Sequence, residues 1–384
     1  MVAFARAEVL PHVLEWDRNA AVPRELWPTL ARKGLLGLSL PSRFGGASAS
    51  ARRTAVALDA FAYGSKDLGI VNSWGCHMAM AGMAIVAGRS VDQQQRYLPG
   101  MAAGELIAAF ALTEPEAGSH AAAMRTRAVR DGQDYVLDGE KCFVTNGPVA
   151  DLFVVIAQME VDGRDRPTAF IVERGVPGLI VLPQREKSCI RTSPLCDIRL
   201  ERCRIAASQQ LGEPGRAFET LVLPALDWDR CVVWAGRLGR LRNLLEDSMS
   251  YARRRQQFGK PIAQHQAIAF KLADMKVALD AAEHLLSRAL SDLDEGRSAR
   301  LSAAVARLFL GESVMAAAAD AAQVYGGYGF YPENHVERYY RDAKLDGIGG
   351  GTFEIQRLII SRALLEGEGS GAARWLVPEE LVHG

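Results

Sequence analysis

Three Asp-Gly pairs, at 131–132, 138–139 and 162–163, punctuate the stretch from Thr126 to Leu182, and helical patterns bracket it on both sides. An Asp-Gly pair between alternating residues favours a two-residue chain reversal, because both positions tolerate positive φ. Arg127–Arg130, Tyr135–Leu137, Lys141–Thr145 and Leu152–Gln158 therefore read as short strands of an antiparallel β-domain. Before it, Pro23–Ala31 reads as a helix halted by Gly34 and Gly37, and Val91–Leu98 as another ending at Pro99-Gly100. After it, Ile268, Leu272, Met275, Leu279, Ala282 and Leu286 recur at three- and four-residue spacing, one apolar stripe on a long helix. Ala303–Tyr325 reads as a second long helix, stopped by Gly326-Gly327. The order predicts an α+β chain. Its expected parts are an N-terminal α-helical domain (1–109), a central β-domain (110–213), a C-terminal helical bundle (214–365), and a linker and tail (366–384) opening with Gly369-Ser370-Gly371.

Lys+Arg and Asp+Glu balance at 45 each, so no overall field recruits nucleic acid or an anionic membrane. The longest uncharged run, Leu68–Gly88, has the length of a membrane span, but it holds Asn72, Ser73, His77 and four glycines. A packed small-residue helix suits it better. The chain reaches Glu8 without an apolar signal region, and six cysteines in 384 residues do not suggest a disulfide scaffold, so a reducing cytoplasm is expected. Cys189, Cys196 and Cys203 are too widely spaced for a usual zinc site, and no metal is expected. Gly326-Gly327-Tyr328-Gly329 follows a helix rather than a strand, which excludes a dinucleotide fingerprint.

Three segments carry the chemistry-bearing residues. Phe110-Ala111-Leu112-Thr113-Glu114-Pro115-Glu116-Ala117-Gly118-Ser119 is rich in hydroxyls and backbone donors, which suit a polar heterocycle or phosphate. An ordinary interdomain loop would read the same way. Lys141-Cys142-Phe143-Val144-Thr145-Asn146-Gly147 sets an aromatic face beside a hydroxyl, suiting a flat ligand, although an aromatic on a strand also suits a core. Gly349-Gly350-Gly351 precedes Thr352-Phe353-Glu354, and glycines before a helix let backbone N–H groups come close to a ligand.

In this order and spacing the segments resemble the acyl-CoA dehydrogenase family of flavoproteins, from about Trp16 to Leu365. Leu40-Pro41-Ser42-Arg43-Phe44-Gly45-Gly46, Gln95-Arg96-Tyr97-Leu98-Pro99 and Arg255-Gln256-Gln257-Phe258-Gly259-Lys260-Pro261 with His265-Gln266 extend the likeness. The resemblance implies a central β-barrel, a four-helix C-terminal bundle, and FAD bound where the two meet, in a homotetramer or dimer. By family position Phe110, Leu112, Thr113, Ser119, Phe143 and Thr145 would hold the flavin and its diphosphate. Arg255, Phe258, Gln266, Gln323 and Gly327 would reach the FAD of a neighbouring subunit, and Thr352 and Glu354 would close over the cofactor. Phe143 stands where the family usually has Trp, Glu354 where Gln is also common, and His120 where Asp usually follows Gly-Ser.

The implied reaction gives the α-proton of an acyl thioester to a carboxylate while the β-hydrogen leaves as hydride to flavin N5. The α-proton is weakly acidic, so the carbonyl must be polarised and a desolvated carboxylate must stand opposite the flavin. Most of the family places this base as Glu just before the Gly-Thr of the third motif, where this chain has Gly350. A minority, similar to isovaleryl- and long-chain-type enzymes, carries it on the helix before the Arg-x-x-Phe-Gly motif. The matching segment is Leu226-Asp227-Trp228-Asp229-Arg230, and the base position falls on Asp229. A carboxylate placed at a helix start for the macrodipole would look the same. Asp227 lies ~200° around the helix from Asp229. With Arg230, Ser119 and Gly350 it is expected along the thioester arm. The substrate would be an acyl thioester of coenzyme A or of a carrier protein, and the acceptor an electron-transfer flavoprotein or oxygen. Two other readings stay open: a dehydrogenase or oxidase of carrier-bound acyl or aminoacyl groups in natural-product assembly, and a flavin-dependent monooxygenase on the same fold, which needs no base.

Overall fold

Seven α-helices precede the first strand: α1 (Val2–Glu8), α2 (Val13–Asn19), α3 (Leu26–Arg32), α4 (Ala51–Ser65), α5 (Gly69–Gly75), α6 (Met83–Ala87) and α7 (Val91–Ala103). Ser50 and Ser90 cap α4 and α7 by accepting the N–H groups of Arg53 and Gln93. Contrary to expectation, α7 does not stop at Pro99 but runs on to a left-handed Gly104. Its buried Leu98, Met101 and Ala102 offset the one hydrogen bond that proline cannot make. A π-helical turn, Cys76–Gly82, joins α5 to α6, so the uncharged run is one continuous, largely buried helix. The computed structural model describes residues 1–365; the expected linker and tail lie outside them.

Next come β1 (Ala108–Ala111), β2 (Arg127–Asp131), β3 (Asp134–Thr145), β4 (Leu152–Val161), β5 (Arg164–Glu173), β6 (Leu179–Val181), β7 (Leu195–Ala206) and β8 (Gln210–Leu211). They form one sheet in the order β6-β7-β3-β2-β4-β5-β8, with β1 beside β4. Asp162-Gly163 reverses the chain between β4 and β5 with both residues at positive φ. Asp138-Gly139, read as a turn, is not one. β3 passes straight through it with a register shift, and a Cβ at Gly139 would lie 2.5 Å from the Thr126 hydroxyl. Nor does the sheet close into the expected barrel: β6 and β8 end the path unpaired with each other. Two strand pairs, β1–β4 and β2–β4, are parallel. The second follows from topology, since two reversals separate β2 from β4 and restore the direction. Phe153, Val155, Phe170, Val172, Leu137 and Ile198 build the core of this domain.

Helix α8 (Leu223–Cys231) follows the sheet. After it come α9 (Gly236–Arg254), the β9–β10 hairpin (Gln256–Gln257 and Lys260–Pro261), α10 (Gln266–Asp294), α11 (Arg300–Tyr325), α12 (Val336–Ala343) and α13 (Phe353–Leu365). By compactness Met1–Gly236 forms one unit and a second begins at Arg237. Within the second, α11 packs on α10, α12 and α13. The α10 stripe buries Met275, Leu279, Ala282 and Leu286, as its spacing predicts.

Candidate active site

The loop after β1 is built on a buried ion pair. Lys141 Nζ donates to Glu114 Oε1 at 2.7 Å and to the Leu112 carbonyl at 3.0 Å. Glu114 also accepts the N–H groups of Arg125 and Thr126, and backbone bonds exchanged between Glu114 and Ala117 close the turn. Burial pushes the Glu114 carboxyl up, but the Arg125 N–H and the Lys141 ammonium outweigh it and hold it below the ordinary range. Burial also draws the Lys141 ammonium down. On this base Leu112 and Thr113 are half-buried and Ser119 is exposed. Phe110 is buried on β1, so it offers the loop a wall rather than an open ring.

Beside the loop, β3 carries a bulge between Lys141 and Val144. The extra residue sets Phe143 at φ +56° with 64% of its surface exposed. The Cys142 N–H donates to the Thr113 carbonyl at 2.8 Å, and the Phe143 N–H to Asp197 Oδ1 at 3.1 Å. Thr145 is half-buried at the strand end. The buried Asn146 amide donates to the Ser73 and Ala108 carbonyls, tying β3 to α5 and β1. His77, in the π turn, accepts the Ala108 N–H at Nδ1 and so donates through Nε2 to the Met101 carbonyl. Burial lowers its pKa to about 4. His77 is a neutral joint between helix and strand, not a proton carrier.

On α8, Asp229 is 5% exposed, and Asp227 accepts a 2.9 Å bond from the buried Arg230. Asp229 occupies the seventh place of the helix, two turns in, so its charge does not serve the helix start.

In the second unit a cleft of about 550 Å³ is walled by Tyr251, Tyr325, Tyr328 and Tyr331, with Arg255 and Gly327 on its lining. Tyr251 and Tyr325 stack at 4.1 Å, and the Arg255 guanidinium lies 5.8 Å from the centre of the Tyr328 ring. A Cβ at Gly326 or Gly327 would meet nothing within 4 Å. Gln323 is exposed one helical turn before Gly327. Phe258 shares the hairpin tip with Gly259, both at positive φ, and is 92% exposed. Its ring meets His265 edge-on at 6.0 Å, and the exposed Gln266 opens α10. The cleft thus gathers Arg255 and Gly327, whereas Phe258, Gln266 and Gln323 stand outside its lining.

Gly350 and Gly351, at φ +63° and +93°, form a loop held by its carbonyls. The buried Arg307 donates to the carbonyls of Asp346 and Gly349, each at 2.7 Å, and the buried Gln356 donates to that of Gly351 at 3.0 Å. Asp346, pushed up by burial and drawn back by Arg237, pairs with that guanidinium at 3.0 Å. Thr352 caps α13, and the exposed Glu354 is held below its ordinary range by its own N–H and the Thr352 hydroxyl. Lys141, Asp197, Arg307 and the cleft tyrosines escaped sequence reasoning. Lys141 stands in the second motif, but nothing in the sequence pairs it with Glu114, 27 residues away.

Three family descriptions match consecutive stretches: the acyl-CoA dehydrogenase N-terminal domain at 1–105, middle domain at 109–203 and C-terminal domain at 220–365. An acyl-CoA dehydrogenase of Bacillus subtilis (strain 168) is 36% identical over 365 residues, covering 95% of this chain and 96% of its own. An L-prolyl-(peptidyl-carrier protein) dehydrogenase of Pseudomonas fluorescens is 36% identical over 341 residues, 88% of this chain and 89% of its own. The solved FAD complex of PigA superposes with a TM-score of 0.91 at 32% identity, over 94% of this chain and 95% of that one. With every domain matched in order and the motif loops built as described, the chain belongs to the acyl-CoA dehydrogenase family.

Proposed function

We propose that the chain is an FAD-dependent acyl-thioester dehydrogenase with Asp229 as its base. The observation that carries this is an exchange between two places. The third motif presents Gly350, a residue without a side chain in a left-handed conformation, while α8 presents a carboxylate sheltered from water. Abstraction of a weakly acidic α-proton needs such a carboxylate.

The donor set suits FAD in two parts. Thr113, Ser119 and Thr145 offer hydroxyls and Phe143 an exposed ring, as a flat heterocycle and its polar chain require. Arg255, the tyrosines and the open glycines of the cleft suit a nucleotide diphosphate. When bound, FAD supplies the acceptor for the β-hydride. Phe110, Leu112 and Phe143 wall the heterocycle, while Arg255, Gly327 and Gln323, with Phe258 and Gln266, serve a neighbouring copy in a homotetramer or dimer. Thr352 and Glu354 cover the cofactor. Asp229 takes the α-proton, and Asp227, Arg230, Ser119 and Gly350 line the thioester arm.

The likeness to a prolyl-carrier dehydrogenase favours a second form of the reading, in which the acyl or aminoacyl group rides on a carrier protein rather than coenzyme A. Anaerobic titration of the purified protein with coenzyme A and carrier-bound thioesters tests both. Flavin bleaching by one class names the substrate, and reoxidation by an electron-transfer flavoprotein or by air names the acceptor. A flavin that no thioester bleaches but NAD(P)H does would replace the dehydrogenase with a monooxygenase.

A further inference from the structure

We propose that Asp197 is the positioning residue that presents Phe143 to the flavin, an inference that rests on the FAD reading above. Phe143 adopts a left-handed φ of +56°, which bulky L-residues rarely accept, and its ring is mostly exposed, so packing within the sheet does not hold it there. Such an outlier points to a local restraint and to a function for it.

The restraint lies opposite the bulge. Pairing between β3 and β7 jumps from Lys141–Ile198 to Val144–Cys196, so Asp197 is the β7 residue that the bulge leaves without a register partner. Its side chain fills the gap: Oδ1 accepts the Phe143 N–H at 3.1 Å, where an undistorted ladder would supply a backbone carbonyl. Asp197 is 3% exposed and ion-paired with Arg185, whose own side chain lies mostly in solvent. On the other side the Cys142 N–H is fixed to Thr113, the hydroxyl residue of the first motif. The ring therefore stands on two restraints, one from the flavin loop and one from Asp197. The same carboxylate adds to burial in pushing the Cys142 thiol up to about 11, which keeps a thiolate away from the site. Asp197 reaches the backbone of Phe143 and not a ligand, so it acts through another residue.

The test compares Asp197→Asn, Asp197→Ala and Arg185→Ala holoproteins by visible flavin spectrum, reduction potential and FAD affinity. Asparagine keeps an acceptor oxygen and should stay within about twofold of the parent, as should Arg185→Ala, whose exposed pair is screened. Alanine lets the bulge relax. It should shift the flavin band and potential and weaken FAD binding roughly tenfold, about 1.4 kcal/mol. In a Phe143→Gly background Asp197→Ala should add nothing, whereas a merely structural aspartate would add the same loss in both backgrounds. If Asp197→Ala does not fold, Asp197→Ser, which stops short of the Phe143 N–H, takes its place. An alanine variant with parental spectrum and affinity, or an asparagine variant as damaged as alanine, overturns the assignment. A colourless parent protein overturns instead the FAD reading beneath it.

Discussion

At Asp229 the decisive exchange is to asparagine, which keeps the size of the side chain and removes the charge proposed to take the proton. Loss of a general base costs ~10²–10⁴-fold in rate. Asp229→Asn should stay yellow and bind thioester while its anaerobic bleaching slows by that factor, and undiminished bleaching would move the base elsewhere. Phe143 invites a different experiment. A left-handed φ costs a non-glycine residue roughly 1–2 kcal/mol, and glycine gives back about 0.5–1 kcal/mol through its freer unfolded chain. Because the ring is exposed, little packing is lost. Phe143→Gly should therefore leave the melting temperature of the apoprotein level or slightly raised while FAD affinity falls; a clear loss of apoprotein stability would show the ring serving the fold. The aromatic was legible in the sequence. Its φ was not, because a bulge depends on the partner strand and Asp197 lies 54 residues away.

The elements divide along the same line. Local signals read well: the α10 stripe, the glycine stop after α11 and the Asp162-Gly163 reversal all depend on neighbours within a turn or two. Asp138-Gly139 misled because its glycine answers to Thr126 across the sheet rather than to the next residue. Pro99 misled because buried side chains outweighed its missing hydrogen bond. Sheet closure is a property of strand edges, which no single strand announces. The candidate loops were legible as motifs, but what shapes them was not. Lys141→Met makes that point measurable. It strands the Glu114 carboxylate in the interior, and breaking a buried pair typically costs ~3–5 kcal/mol. Amide exchange across Thr113–Ser119 should quicken before the rest of the sheet opens, and exchange that stays uniform would mean the pair does not shape the loop.

For the whole molecule, His77 links stability to acidity. Its folded pKa of about 4 lies below the ordinary imidazole value of 6.5. As pH falls below 6.5 the unfolded chain binds a proton there that the folded chain refuses until about 4, so its contribution is complete above 6.5 and shrinks through that window. The slope from this one group is at most ~1.4 kcal/mol per pH unit. Urea midpoints should drop between pH 7 and pH 5, and His77→Gln should flatten the drop; an equal drop in the variant would assign it to other groups. The grip of Arg307 and Gln356 on the glycine loop bears on a longer timescale. They hold oxygen atoms that every residue type carries, so these bonds do not themselves depend on the side chains at 349 and 350, although a Cβ at 349 would come within 3.0 Å of Leu345 and 350 keeps a left-handed turn. A chain built this way can keep the same loop whether or not that loop carries a carboxylate, because the scaffold that remembers it is written in side chains elsewhere.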